Sequence, residues 1–268
     1  MAKLLEGKPI AERIKEEIKS RIQSFKLKPV LASIVIGENA GAINYAKSQQ
    51  KLAVELGIEY CLRTLPQSVA ESQVIELIRK LNDDQQVNGI VIQMPLPEQI
   101  DAKSISRFIA RGKDIEGVNS PVVGAVMELI KASGVDLYGK EVVIVGHSEI
   151  VGKPLVFLLL DKFATVTVCH IGTSKAGKLE EHVRRAEVLI VAVGKAGLIK
   201  GEWIKEGAVV IDVGINRVGD KIVGDVEFEL AQKRASFITP VPGGVGPLTV
   251  AILMRNLVEA ALTQQSGS

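Results

Sequence analysis

Val142-Val143-Ile144-Val145-Gly146-His147-Ser148-Glu149-Ile150-Val151-Gly152-Lys153-Pro154 is the stretch on which the fold turns. Four β-branched apolar residues in a row suit a strand buried on both faces. Gly146 breaks that strand, and a helix is predicted from about Gly152 to Leu160. Strand, glycine turn and helix in this order are the physical recipe for a dinucleotide pyrophosphate site. Amides at the helix start point at the phosphates, and glycine lets the backbone come close. Ser148 takes the place of the second glycine of the full G-x-G-x-x-G pattern. The pattern alone therefore fits a cofactor turn or a structural βα turn equally. The acid expected about twenty residues on, for the ribose hydroxyls, is also missing. The next strand ends Val168-Cys169-His170-Ile171 instead. His147 and His170 lie either near the adenosine end of a cofactor or simply at two strand ends.

Outward from this turn, strand-like and helix-period segments alternate. Before it, Ile10, Ile14, Ile18 and Ile22 recur every four residues, an amphipathic helix closed by Pro29. Val30 to Ile36 reads as a buried strand, followed by a Gly37-to-Gly41 loop and a helix through about Leu56, stopped by Gly57. Ile58 to Leu65 reads as a strand, Glu71 to Leu81 as a helix, and Gly89 to Gln93 as a buried strand ended by Pro95 and Pro97. A helix near Ala102 to Ala110 leads into the polar stretch Arg111 to Asn119, the predicted domain boundary. A helix from Pro121 to Ala132 enters the second domain. After the Gly146 turn, strands are predicted at Thr165 to Cys169, Val188 to Val193, Ala208 to Asp212 and Phe237 to Thr239, with a last helix from Leu248 to Leu262. Strands alternating with helices imply βαβ units and parallel sheets, here in two α/β lobes with a cleft between them. The expected domains are 1–119 and 120–247, with a final helix 248–263 returning to the first. Gly194 and the run Asp212-Val213-Gly214-Ile215-Asn216 follow predicted strands. They stand at carboxyl ends, where ligands of open α/β sheets collect.

Composition sets the bounds. The 268 residues are 47% hydrophobic and 24% charged, enough to build a sizeable core. Thirty-three basic against thirty-one acidic side chains leave little of the positive footprint of a nucleic-acid binder. Cys61 and Cys169 are far apart in apolar runs, which suits a reducing, cytoplasmic setting better than a disulfide framework. No apolar stretch of signal-peptide length opens the chain, and no uncharged run is long enough to span a bilayer. No metal is expected.

Three segments carry a resemblance. They are Gly89-Ile90-Val91-Ile92-Gln93-Met94-Pro95-Leu96-Pro97, the turn Val145 to Pro154, and Thr239-Pro240-Val241-Pro242-Gly243-Gly244-Val245-Gly246-Pro247-Leu248-Thr249. In sequence, order and spacing the chain resembles the methylenetetrahydrofolate dehydrogenase/methenyltetrahydrofolate cyclohydrolase family over nearly its whole length. The resemblance implies an N-terminal α/β folate domain and a C-terminal Rossmann-like domain binding NAD or NADP. It implies a tetrahydrofolate substrate and a homodimer. The chemistry implied is hydride transfer from 5,10-methylenetetrahydrofolate, then hydrolysis of the methenyl product. Hydride transfer chiefly needs two rings held in position, whereas hydrolysis also needs a tuned acid–base group.

Carried over residue by residue, the resemblance makes Tyr45, Gln49, Gln93 and Glu116 the catalytic candidates. Tyr45, Gln93, Pro95, Leu96, Glu116, Pro242, Gly243 and Gly244 are the folate-binding candidates. Gly146, His147, Ser148, Ile150, His170, Ile171, Gly194, Gly214 and Ile215 are those for the dinucleotide. Gln93 brings an amide able to donate and accept. The sequence departs from the family at four places. The lysine expected four residues after Tyr45 is Gln49, and Lys47 and Lys51 fall off that helix face. The pterin-facing aspartate is Glu116, in Lys113-Asp114-Ile115-Glu116-Gly117. A segment with a Pro-Cys-Thr-Pro-like run after Glu116 is absent. The arginine and serine that favour a 2′-phosphate are His147 and Ile171. The expectation is a dehydrogenase with weak or absent cyclohydrolase activity. The competing expectations are a fully bifunctional enzyme rescued by Lys47 or water, and a non-catalytic folate- or nucleotide-binding relative.

Overall fold

The computed structural model describes residues 1–117 and 120–266. Val118 and Asn119, the end of the predicted boundary stretch, lie outside the described residues. In chain order the strands are β1 (Lys3–Leu4), β2 (Val30–Ile36), β3 (Glu59–Leu65), β4 (Gly89–Ile92), β5 (Glu141–Val145), β6 (Thr165–Cys169), β7 (Val188–Val191), β8 (Val209–Asp212), β9 (Asn216–Val218), β10 (Lys221–Val223) and β11 (Phe237–Ile238). Contacts divide the chain into two compact units. One is Met1–Glu12 with Ser120–Thr249, and the other is Arg13–Asn119 with Val250–Ser268.

The unit around Arg13–Asn119 holds a three-stranded parallel sheet in the order β3-β2-β4. All seven residues of β2 are buried because it has a partner on each side and layers on both faces. Ser33 is the one polar residue in that strand. Helix Ala40–Leu56 starts on Asn39, whose side chain accepts from Ala42 N, and ends on Gly57 in the left-handed region. Helix Val245–Ser266 is long and apolar enough to cross a bilayer by length and composition. In this fold its middle is core: Leu253, Met254 and Leu257 are buried, and Leu257 lies against the position of Gly89. Asn256 Nδ2 donates to Ile115 O (3.0 Å), and Gln264 Nε2 to Asn88 O (3.0 Å).

The other unit is an all-parallel six-stranded sheet in the order β1-β11-β8-β7-β5-β6. From β5 the chain crosses to β6 on one side and then returns to β7 on the other. The space above β5 and β7 is therefore the topological switch point, where such sheets bind ligands. An antiparallel hairpin, β9–β10, projects after β8.

Ala2 and Leu5 are buried, and β1 pairs with β11, so Met1–Glu12 belongs with the six-stranded sheet. A two-residue edge strand is too short to carry a periodicity. The helix predicted near Ala102 to Ala110 stops at Ser106. Asn82 takes the backbone groups that would extend it, donating to Phe108 O (2.6 Å) and accepting from Ala110 N (2.9 Å). The first and last helices begin earlier than predicted, at Gly7 and Val245.

Candidate active site

In the three-stranded unit the sequence candidates meet around one buried amide. Tyr45 and Gln49 share a helix face, while Lys47 and Lys51 are exposed. Gln49 is fully buried, and its Oε1 accepts from Gln93 Nε2 (2.7 Å) and Tyr60 Oη (3.2 Å). Gln93 Nε2 also donates to Ser33 Oγ (2.9 Å). Among the described residues, Gln49 Nε2 has no hydrogen-bond partner. Gln93 was expected to donate and accept toward a ligand, but its nitrogen is spent inside the protein. The free donor of the cluster is Gln49 Nε2.

Glu116 supplies the charge of this cluster. Asp114 Oδ1 accepts from Glu116 N (3.2 Å) and Gly117 N (2.7 Å), holding the turn that presents it. Burial, and then the neighbouring Asp114 charge, push the Glu116 carboxyl up to about 7. Burial, and then the Glu116 charge, raise the Tyr45 phenol well above its ordinary value. Tyr60 is raised chiefly by burial. No lysine or arginine contributes to any of these shifts. Pro95 follows a cis peptide at Met94, beside the half-buried Leu96.

In the six-stranded unit Gly146 ends β5 with φ +128°, and a Cβ there would lie 2.3 Å from Ala192 O. The turn thus presses on the chain leaving β7, at the switch point. Ser148 Oγ accepts from Val151 N (3.1 Å), shaping the entry to helix Gly152–Leu160. His147 and His170 come together, ring centroids 5.3 Å apart. His170 Nδ1 accepts from Gly172 N (3.1 Å), capping the short helix Ile171–Lys175. Ile150, Ile171 and Ile215 are exposed apolar side chains on this rim of strand ends, suited to cover flat rings. Gly194 and Gly214 lie on the same rim, in the loops after β7 and β8. In the Pro240–Gly244 turn, Val241–Pro242 is cis and Gly244 N donates to Pro240 O (2.8 Å). Gly7 N donates to Gly243 O (2.8 Å), tying that turn to the N-terminal segment.

Known proteins match along the whole chain. Residues 5–116 fit the profile "Tetrahydrofolate dehydrogenase/cyclohydrolase, catalytic domain", and residues 120–265 fit the corresponding "NAD(P)-binding domain". This chain belongs to the tetrahydrofolate dehydrogenase/cyclohydrolase family. It is 46% identical to the bifunctional protein FolD of Acetivibrio thermocellus, with 98% of each chain covered. The structure of the bifunctional FolD enzyme from Campylobacter jejuni superposes with a TM-score of 0.92 at 40% identity, covering 98% of this chain and 99% of that one. The Trypanosoma brucei family member, solved with NADP and an inhibitor, gives 0.93 at 33% identity, covering 100% and 99%.

For this member of the tetrahydrofolate dehydrogenase/cyclohydrolase family, sequence reasoning missed Ser33, Tyr60 and Asp225. Ser33 had a signal, a lone hydroxyl in an apolar run whose partner had to be another buried polar group. Tyr60 sits in a half-exposed strand and Asp225 after a hairpin, and nothing in their neighbourhoods marks either one.

Proposed function

We propose that this protein oxidises 5,10-methylenetetrahydrofolate by hydride transfer to NAD or NADP, and hydrolyses the methenyl product far more slowly than it forms it. In the three-stranded unit the folate is held by Tyr45, Gln93 and Glu116 with Pro95 and Leu96. The dinucleotide is held by the Gly146 turn and the loops bearing His170, Gly194 and Gly214. The bridge carbon gives up a hydride and is left as a cationic methenyl group. That step needs orientation, which rigid strand ends supply. Hydrolysis also needs a proton-moving group on the helix face that Tyr45 shares with residue 49; Glu116, whose carboxyl is pushed up to about 7, lies outside that helix. The observation that carries the reading is Gln49, a buried amide with no titratable nitrogen, while Lys47 and Lys51 face outward.

The bifunctional character named for the relatives favours a second reading, full bifunctionality. Parallel assays separate the two. Hydride transfer is followed as reduced nicotinamide formed from methylenetetrahydrofolate, and hydrolysis as loss of methenyltetrahydrofolate absorbance. Comparable rates would overturn the first reading. No hydride transfer, with folate still bound, would point to a non-catalytic relative.

His147 and Ile171 stand where a 2′-phosphate would need cationic and hydroxyl partners, which supports NAD being used at least as well as NADP. The free edge of β3 supports a homodimer. Among the described strands β3 pairs only with β2, and its Leu62 is 44% exposed. A seven-residue strand with an unpaired edge offers its backbone groups to a second copy. Two free cysteines suit a cytoplasmic enzyme.

A further inference from the structure

Two acids of the NAD(P)-binding domain are buried, and what satisfies them is backbone rather than a cation. Asp225 is 0% exposed. Its Oδ2 accepts from Val193 N (2.8 Å) and Gly194 N (3.0 Å), and its Oδ1 from Lys195 N (2.8 Å) and Asn216 Nδ2 (2.8 Å). Asp212, at the end of β8, accepts from Gly214 N (2.9 Å) and Asp225 N (3.1 Å) on Oδ1, and from Val226 N (2.9 Å) on Oδ2. Each acid is seated against a glycine. A Cβ on Gly214 would lie 2.2 Å from Asp225 Cγ, and one on Gly224 2.0 Å from Asp212 Oδ2. The packing leaves no room for either carboxylate to turn away.

Three successive amides curled round an anion form the kind of nest that holds phosphate in many nucleotide sites. Here the nest belongs to the loop after β7, whose Ala192 carbonyl lies against Gly146 at the switch point. It is filled from within. None of the three N–H groups is left for a ligand.

We infer that Asp225 is a positioning residue for the dinucleotide: its carboxylate occupies the amide cradle of the loop after β7, fixes that loop's shape and turns phosphate away from it. The pyrophosphate is then left to the Gly146 turn, and the nicotinamide and its ribose run past Gly194. The inference rests on this domain binding NAD or NADP.

Asp225→Ala tests it, because it empties the cradle and leaves a cavity the size of a small carboxylate. NAD and tetrahydrofolate affinities are measured on the same full-length protein by calorimetric titration. Losing four hydrogen bonds should weaken NAD binding about tenfold or more, with tetrahydrofolate affinity unchanged. Sodium formate should refill the cradle and restore much of the NAD affinity, while sodium chloride at equal ionic strength should not. Asp225→Asn keeps one acceptor, turns an N–H against the amides and fills the cavity. It should weaken NAD binding without formate rescue, and it decides the matter if Asp225→Ala does not fold. A folded Asp225→Ala or Asp225→Asn protein with wild-type NAD affinity would overturn the inference. So would a loss in Asp225→Ala that formate leaves unchanged. Wild-type protein that binds no NAD would instead remove the cofactor assignment itself.

Discussion

At position 49 the two ends of one amide are treated unequally. The oxygen is shared by Gln93 and Tyr60, while the nitrogen has no hydrogen-bond partner of good geometry among the described residues. An orphaned buried donor is costly unless a ligand satisfies it, so Gln49 Nε2 is poised to bind rather than to titrate. Gln49→Lys should restore a proton-moving group and raise methenyltetrahydrofolate hydrolysis by roughly a hundredfold, the low end of general acid–base assistance. Lys47→Ala should leave that rate as in the wild type, since Lys47 points outward. If Gln49→Lys binds folate normally and gains nothing, Gln49 is not what limits hydrolysis. A second residue-scale expectation concerns His147. His147→Arg should lower the KM for NADP about tenfold relative to NAD, by adding a guanidinium that grips phosphate bidentately. Steady-state rates with both cofactors check it.

The turn after β5 and the edge strand β3 show how an element sets what a residue can do. Gly146 combines φ +128° with a backbone approach that no Cβ permits. Gly146→Ala should force the turn away from Ala192 and destabilise the domain by about 1–3 kcal/mol. NAD affinity should fall with it, while tetrahydrofolate binding persists. Urea unfolding and titration of both ligands would show this, and unchanged NAD affinity would count against the turn as the pyrophosphate site. For β3, Leu62→Lys places a charge on the open edge. Sedimentation should then shift from dimer to monomer, and a wild-type protein already monomeric would end the homodimer proposal.

For the whole molecule, each unit carries an acid whose affinity for protons rises on folding. Burial pushes Glu116 up to about 7 and Asp212 up to about 6, the latter against three backbone N–H groups that pull it down. In the unfolded chain such carboxyls titrate near about 4. Between about pH 4 and pH 7 the folded state therefore binds more protons than the unfolded state. These two groups make stability fall as pH rises through that window, with no further loss above it. Glu116→Gln should flatten the decline between pH 5 and pH 7 and stabilise the protein at pH 8 by roughly 1–3 kcal/mol, relative to wild type. Urea midpoints at pH 5 and pH 8 measure it. A Glu116→Gln protein with the wild-type pH slope would show that this carboxyl ionises normally.

Local pattern was enough for much of this architecture. The apolar runs at Val30–Ile36, Gly89–Ile92 and Glu141–Val145 announced buried parallel strands, because period and β-branching are properties of neighbours in sequence. The Gly146 turn and the Pro240–Gly244 turn were legible for the same reason, and so was the exchange of lysine for Gln49 within its helix. What the sequence could not contain is pairing at a distance. The joining of β1 to β11 puts the first residues with the six-stranded sheet. Asn82 stops a helix more than twenty residues downstream through two hydrogen bonds. Tyr60 and Ser33 reach the Gln49–Gln93 pair from neighbouring strands, and Asp225 closes on the loop after β7 across 30 to 32 residues. A hydrogen bond between distant segments has no local periodicity to betray it. The strands are thus written in the chain's own spacing, while the partners of its buried polar atoms are decided by which segments the sheets bring side by side.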